Sequence, residues 1–301
     1  MKTMRALFCP PTYFEIRDVK NPFMRGAEPV DPEKARAQWE EVRRAFEEAE
    51  VATEVIPAVP DLEDMVFANN QVFVGEREGK GKFIVPSHMR FPSRQREVPY
   101  FVEWFRGRGY RVMELDLANE FLEGHGDLLW HGETCQATET LQATETLQAT
   151  ETLQATSLRV WAGHGFRSSR GGVERFAAAM RGLGIDVIPL ELVDGRFYHL
   201  DTCFAPLTAE AVVIYPGAFS GEALASIRAG CPRVHEVDEP EALGFVCNGV
   251  AANGRFLTPR LGPGLARALK REGLEAVVVE TSEFEKSGGS ICCLKLFHPQ
   301  G

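Results

Sequence analysis

The residues best placed to do chemistry lie near the C-terminal end, in Ser287-Gly288-Gly289-Ser290-Ile291-Cys292-Cys293-Leu294-Lys295-Leu296-Phe297. Two glycines open a tight turn, where backbone can meet a substrate without a wall of side chains. A strand is expected to begin at the two cysteines, and alternation then separates them. Cys292, Leu294 and Leu296 share an apolar face that reads as core. Ile291, Cys293, Lys295 and Phe297 share the other, whose lysine can border a polar site. Cys293 is therefore the candidate nucleophile and Cys292 a buried filler. The competing reading makes both cysteines small core residues, since free cysteine is usually buried.

Other stretches are denser in polar residues than their surroundings require. The run Asp64-Met65-Val66-Phe67-Ala68-Asn69-Asn70 ends in two amides. Met89-Arg90-Phe91-Pro92-Ser93-Arg94-Gln95 carries two arginines, and Glu123-Gly124-His125-Gly126-Asp127 places a carboxylate before a glycine-rich turn. Gly165-Phe166-Arg167 follows a strand-like segment. Phe197-Tyr198-His199-Leu200-Asp201-Thr202 alternates, so His199 and Asp201 are expected on one face. Singly, each has a plain explanation: Asn70 caps a turn, Glu123 and Asp127 are solvated, and His199 is half-buried. Together they are the parts for covalent attack on a planar, cationic carbon. The thiolate attacks, the histidine moves protons, and carboxylates hold the cation by fork-like hydrogen bonds.

These residues need a scaffold. Residues 4–9 read as a short apolar strand closed by Pro10-Pro11. Asp31 reads as an N-cap with Pro32 at the first helical position, and the helix runs over 33–50 into a strand at 51–57. The same helix-then-strand unit recurs at 97–108 and 112–115, at 170–183 and 187–190, at 220–229 and 234–237, and at 262–272 and 276–279. Each later helix ends in a basic residue close to a glycine, as helix C-termini do. Five such units make an internal repeat in an α/β chain; the alternative is a doubly wound sheet.

A sharper repeat interrupts the third unit. Residues 133–156 spell Glu-Thr-Cys-Gln-Ala-Thr and then Glu-Thr-Leu-Gln-Ala-Thr three times, between strand-like 127–130 and 158–161. Six residues turn a helix by about 240°, so the leucines form no stripe. In a strand they share a face with alanine and glutamate, which is no cleaner. The hexads are expected to form a hairpin extension or loop outside the core.

The chain has 301 residues and a net charge of -10, which argues against a nucleic-acid or anionic-membrane surface. It has no long apolar run and no signal-peptide pattern at its start. Seven cysteines without a C-x-x-C pair fit a reduced, cytoplasmic protein with neither a disulfide frame nor a structural zinc site.

The polar stretches occur in the order seen in the guanidine-modifying enzymes, the superfamily of arginine deiminases, dimethylargininases and amidinotransferases, which this chain resembles from residue 6 to 298 apart from the hexads. The opening Cys9-Pro10-Pro11 through Asn21-Pro22-Phe23-Met24 is similar to the dimethylargininase-like and arginine dihydrolase-like branch. The resemblance implies a single catalytic domain over 1–301, a five-bladed α/β propeller (the pentein fold). It implies that Cys293 is the nucleophile and His199 the general acid and base, with Glu123 and Asp201 binding the guanidinium. It also implies that Arg90 and Arg167 bind the α-carboxylate of a guanidino amino acid, with Asn21 and Asn70 in the substrate site. No metal or organic cofactor is implied, and a homo-oligomer is compatible with it. Asn70 stands where deiminases and dimethylargininases usually have aspartate, and where the dihydrolase-like branch has asparagine. An asparagine brings one acceptor and an NH₂ donor in place of a charged acceptor. The implied reaction is hydrolysis of arginine or an N-methylated arginine through a thiouronium intermediate. The alternatives are a dihydrolase giving ornithine, an amidinotransferase and a non-enzymatic binding protein of the same fold.

Overall fold

The computed structural model describes residues 4–132 and 158–299; the hexads of 133–156 lie outside the described residues. In chain order the strands are β1 (Met4–Phe8), β2 (Ala52–Val55), β3 (Val72–Arg77), β4 (Gly81–Pro86), β5 (Arg111–Val112), β6 (Leu128–His131), β7 (Leu158–His164) and β8 (Ile185–Glu191). They continue with β9 (Phe204–Thr208), β10 (Ala211–Ile214), β11 (Arg233–Glu236), β12 (Val250–Ala252), β13 (Arg255–Thr258), β14 (Glu275–Val278) and β15 (Lys295–Pro299). Five longer helices are used below: α1 (Pro32–Glu48), α2 (Val98–Arg106), α3 (Arg170–Arg181), α4 (Gly221–Gly230) and α5 (Pro263–Glu272).

Among the described residues the strands form five three-stranded sheets, ordered β15-β1-β2, β3-β4-β5, β6-β7-β8, β9-β10-β11 and β12-β13-β14. Each has one antiparallel pair and one parallel pair. Each parallel pair is joined through one of the five helices, because a parallel connection needs a crossover. The expected helix-then-strand units are these crossovers. The first sheet joins the two ends of the chain, since β15 pairs with β1 from Met4↔Pro299 to Phe8↔Lys295.

Local chemistry sets the helix ends. The Asp31 side chain accepts from the amides of Glu33 and Lys34, with Pro32 in the first turn of α1. Ser169 and Ser220 cap α3 and α4 in the same way. Glu241 caps α5 from another segment, accepting from the amides of Gly264 and Leu265. The apolar face of α1 meets its sheet at Phe8, which packs edge-on to Trp39 and Phe46. No described helix is long and apolar enough to cross a membrane.

Two local expectations need correction. The strand expected to open on the cysteines begins instead at Lys295, and Ile291–Leu294 is a single helical turn. The ladder cannot extend further, because its partner β1 ends at Phe8 and the chain then meets Pro10-Pro11, which have no N–H to offer. Residues 197–202 do not alternate as a strand either: His199 is extended and Leu200–Thr202 form a 3₁₀ turn.

Candidate active site

The segment ahead of the antiparallel outer strand of each sheet turns inward. Cys293 precedes β15, Asn69 and Asn70 precede β3, Glu123 to Asp127 precede β6, and His199 and Asp201 precede β9. With the β1–α1 connection, residues of these segments line a pocket with about 300 Å³ of space that is partly open to solvent; its wall includes Cys293, His199, Asn70, Asn21, Arg167 and Arg94.

Cys293 sits on the helical turn 3% exposed. Successive residues on a helix diverge by about 100°, so the two cysteines part ways without a strand. Cys293 Sγ donates to Asp201 Oδ2 at 3.3 Å and accepts from Asn248 Nδ2 at 3.3 Å. Cys292 Sγ instead accepts from Asn69 Nδ2 and Lys295 Nζ, both at 3.6 Å. Burial, reinforced by the Asp201 carboxylate, pushes the Cys293 thiol well above its ordinary value. Cys293 at rest is therefore a thiol. The glycine turn before it is tight by necessity. Gly288 has φ +80°, and a Cβ on Gly289 would fall 2.6 Å from the Phe67 ring and 3.1 Å from Cys293 Cβ.

Glu123 is fully buried and fully engaged. Its Oε2 accepts from Arg167 Nη1 at 2.9 Å and His199 Nε2 at 2.8 Å, and its Oε1 accepts from the Arg90 amide at 2.9 Å. Burial opposes its ionisation, but the Arg167 guanidinium and the His199 ring outweigh burial and hold the carboxyl well below the usual range. An ionised carboxylate can only accept, so His199 Nε2 carries a proton. The ring also packs against Gly126, where a Cβ would approach it to 3.2 Å and Asn70 Nδ2 to 2.2 Å.

Asp201 is also fully buried. Its Oδ2 accepts from Asn69 Nδ2 at 3.2 Å, while its Oδ1 has no hydrogen-bond partner. Burial pushes its carboxyl up to about 6, and that of Asp127 likewise. Asp127 is a backbone clamp, accepting from the amides of Ser168 and Leu200. Asn70 Oδ1 accepts from Arg94 Nη1 at 3.3 Å, which fixes the amide orientation and leaves Asn70 Nδ2 buried without a partner.

The remaining expected residues are placed unevenly. Arg167 lies in the wall between the rings of Phe91 and Tyr198 and donates to Lys20 O as well as Glu123. Asn21 caps the turn Pro22–Met24 and donates to Ser287 O at 2.8 Å, tying the β1–α1 connection to the glycine turn. The Arg90 side chain is exposed over the Phe121 ring, outside the cavity wall. Arg94, in the same stretch, occupies the wall instead, ion-paired with Glu97 at 3.0 Å. Sequence reasoning also missed Lys20, whose Nζ lies 3.0 Å from both Glu63 and Asp64. It missed Asn248 and Asn69 as well. The doubled amide at 69 and 70 was visible in the sequence; nothing there marked Asn248.

No protein-family model matches the chain. It is 33% identical over 299 residues to the N(G),N(G)-dimethylarginine dimethylaminohydrolase of Mycobacterium tuberculosis, over 99% of this chain and 87% of that one. It is 32% identical over 296 residues to the bifunctional arginine dihydrolase/ornithine cyclodeaminase AgrE of Nostoc sp., covering 97% of this chain but only 37% of that longer protein. Its fold matches the crystal structure of an ArgZ N-terminal domain variant covalently bound to a reaction intermediate. The TM-score is 0.82 at 30% identity, over 98% of this chain and 97% of that one. With these relatives, the chain belongs to the family of dimethylarginine dimethylaminohydrolases and arginine dihydrolases, enzymes that hydrolyse C–N bonds.

Proposed function

We propose that the protein hydrolyses the guanidino group of arginine or an N-methylated arginine through a thiouronium intermediate on Cys293. The observation that carries this reading is the convergence of the Cys293 thiol and the His199 ring on one cavity, backed by a buried carboxylate oxygen, Asp201 Oδ1, that lacks a donor. A guanidinium supplies N–H donors for Asp201 Oδ1 and a positive charge beside the carboxylate. The five sheets are read as the blades of an α/β propeller, with 133–156 inserted in the third.

The steps follow from charge. The cation offsets the Asp201 charge that disfavours the thiolate, and the Cys293 thiol passes its proton to His199. Cys293 Sγ then attacks the central guanidino carbon, and His199 gives that proton to the departing amine. The C–N bond breaks and a cationic thiouronium remains. Water, deprotonated by His199, adds to the same carbon; the C–S bond breaks and a ureido product leaves. Glu123 holds the His199 ring in place through Nε2.

The unpartnered Asn70 Nδ2 favours a second reading, in which one further hydrolysis gives ornithine. A neutral amide can donate to a ureido oxygen, which a carboxylate cannot. The experiment is product analysis with arginine and with mono- and dimethylated arginines, comparing wild type, Cys293→Ser and Asn70→Asp. Citrulline as sole product of the wild type supports single hydrolysis. Ornithine that shifts towards citrulline in Asn70→Asp supports the double one. Absence of both products with every substrate overturns the proposal.

A further inference from the structure

Four of the five sheets receive, just ahead of the outer antiparallel strand, polar side chains that face the cavity or the residues lining it: Cys293, Asn70, Glu123 and the pair His199 and Asp201. The fifth is β12. The residue in the corresponding place is Asn248, the last of the 3₁₀ turn Val246–Asn248 and 0% exposed. The chain enters that turn through Phe245 at φ 60° and ψ 24°, a left-handed conformation unusual for a bulky residue.

Both ends of the Asn248 amide are used on the nucleophile. Its Oδ1 accepts from the Ser290 amide at 2.9 Å and the Cys293 amide at 3.4 Å. Its Nδ2 donates to Asp201 O at 2.9 Å and Cys293 Sγ at 3.3 Å. We infer that Asn248 is a positioning residue for Cys293: its oxygen fixes the turn that carries the nucleophile, and its NH₂ group stabilises the thiolate once the proton leaves. This rests on the reading of Cys293 as the nucleophile.

The chemistry of the site supports that division. Asp201 faces the same sulfur and repels a negative charge there. Lys295 Nζ reaches Cys292 rather than Cys293. Among the described residues, Asn248 Nδ2 is the hydrogen-bond donor placed on Cys293 Sγ. A hydrogen bond to an ionised acceptor is about twice as strong as one between neutral groups, so this contact strengthens when the proton leaves. An amide does so without a charge of its own. An ammonium in its place would repel the cationic substrate that the site must admit.

The test is the rate of alkylation by 2-chloroacetamidine, followed at Cys293 by peptide mass spectrometry from about pH 5 to about pH 10; the cationic probe, like the substrate, offsets the Asp201 charge and favours the thiolate. It needs no turnover. In Asn248→Ala the midpoint is expected to rise by about one pH unit or more, slowing alkylation at neutral pH roughly tenfold. Asn248→Asp keeps an acceptor for the two amides but buries a charge beside the sulfur, so it should melt below wild type at neutral pH and show an upward shift at least as large. Should either variant fail to fold, the other decides. Midpoints unchanged in the folded variants, with kcat falling only in step with melting temperature, would overturn the role of Asn248 alone. A wild-type Cys293 that resists the probe at every pH would overturn the nucleophile assignment, and this inference with it.

Discussion

Two adjacent cysteines with the same side chain occupy opposite environments. Cys293 touches a carboxylate and an amide at the cavity; Cys292 touches Lys295 and Asn69 behind it, and its thiol is pushed up to about 11 by burial, only partly offset by Lys295. Cys293→Ser should lower kcat by about three orders of magnitude or more, as loss of a nucleophile does. Cys292→Ser should retain turnover and lose about 1 kcal/mol of stability, the usual scale for a buried substitution. Steady-state kinetics and denaturant titration of both variants check this, and turnover lost in Cys292→Ser alone would reverse the assignment. The ionisation of Asp201 sets a second expectation. On the proposed reading only its charged form holds a guanidinium well, and burial raises its carboxyl to about 6. The kcat/KM profile should therefore fall as pH drops through about 6; a flat profile down to pH 5 would show that Asp201 does not hold the cation in its charged form. At this scale the sequence exposed the residues that sit in dense polar stretches. It could not separate Arg90 from Arg94, because both flank the same Pro92 turn and only the path of the chain decides which guanidinium turns inward. Asn248 was invisible for a different reason: it stands alone in an apolar run, and its importance comes from the segments it bridges.

Elements were legible where their ends carry their own chemistry. Asp31-Pro32, Ser169 and Ser220 announce helix starts through caps that the chain itself supplies, and Gly184 and Gly273 announce stops through positive φ. Strand starts were less legible, because a strand begins where its partner allows. The cysteine turn was read as a strand since nothing local reveals that β1 stops at Phe8. The same pairing logic bears on the hexads. Strands β6 and β7 are antiparallel neighbours, with Trp130 opposite Val160 and His131 opposite Arg159. Their facing ends can be joined by a short hairpin loop, and Gly132 already has the positive φ, +118°, that such loops use. Deleting 133–156 should leave a protein whose melting temperature and kcat lie close to those of the full chain. A large fall in melting temperature would mean that the hexads contribute to the packed interior.

For the whole molecule, drawing segments from separate sheets into one cavity gathers acidic groups where water is scarce. Asp201 has 0% exposure, and burial dominates its environment despite hydrogen bonds from Cys293 and Asn69. An acid whose folded pKa is raised binds its proton more readily in the native state than in the unfolded chain. Native stability therefore declines as pH rises from the unfolded value, near 4, through about 6, and the penalty is full above that. A site that requires this charge for binding is thus one that weakens the fold at neutral pH. Asp201→Asn keeps the shape and one acceptor but removes the charge. It should be inactive yet more stable than wild type at pH 7, by about 1–3 kcal/mol. The difference should close as pH falls towards 4, where the wild-type carboxyl is neutral in the native state as well. Urea titrations of both proteins at pH 7 and pH 4 measure this. An Asn variant that is less stable at pH 7 would mean that the carboxylate is held in its ionised form by its partners, and that binding and folding at this residue are not opposed.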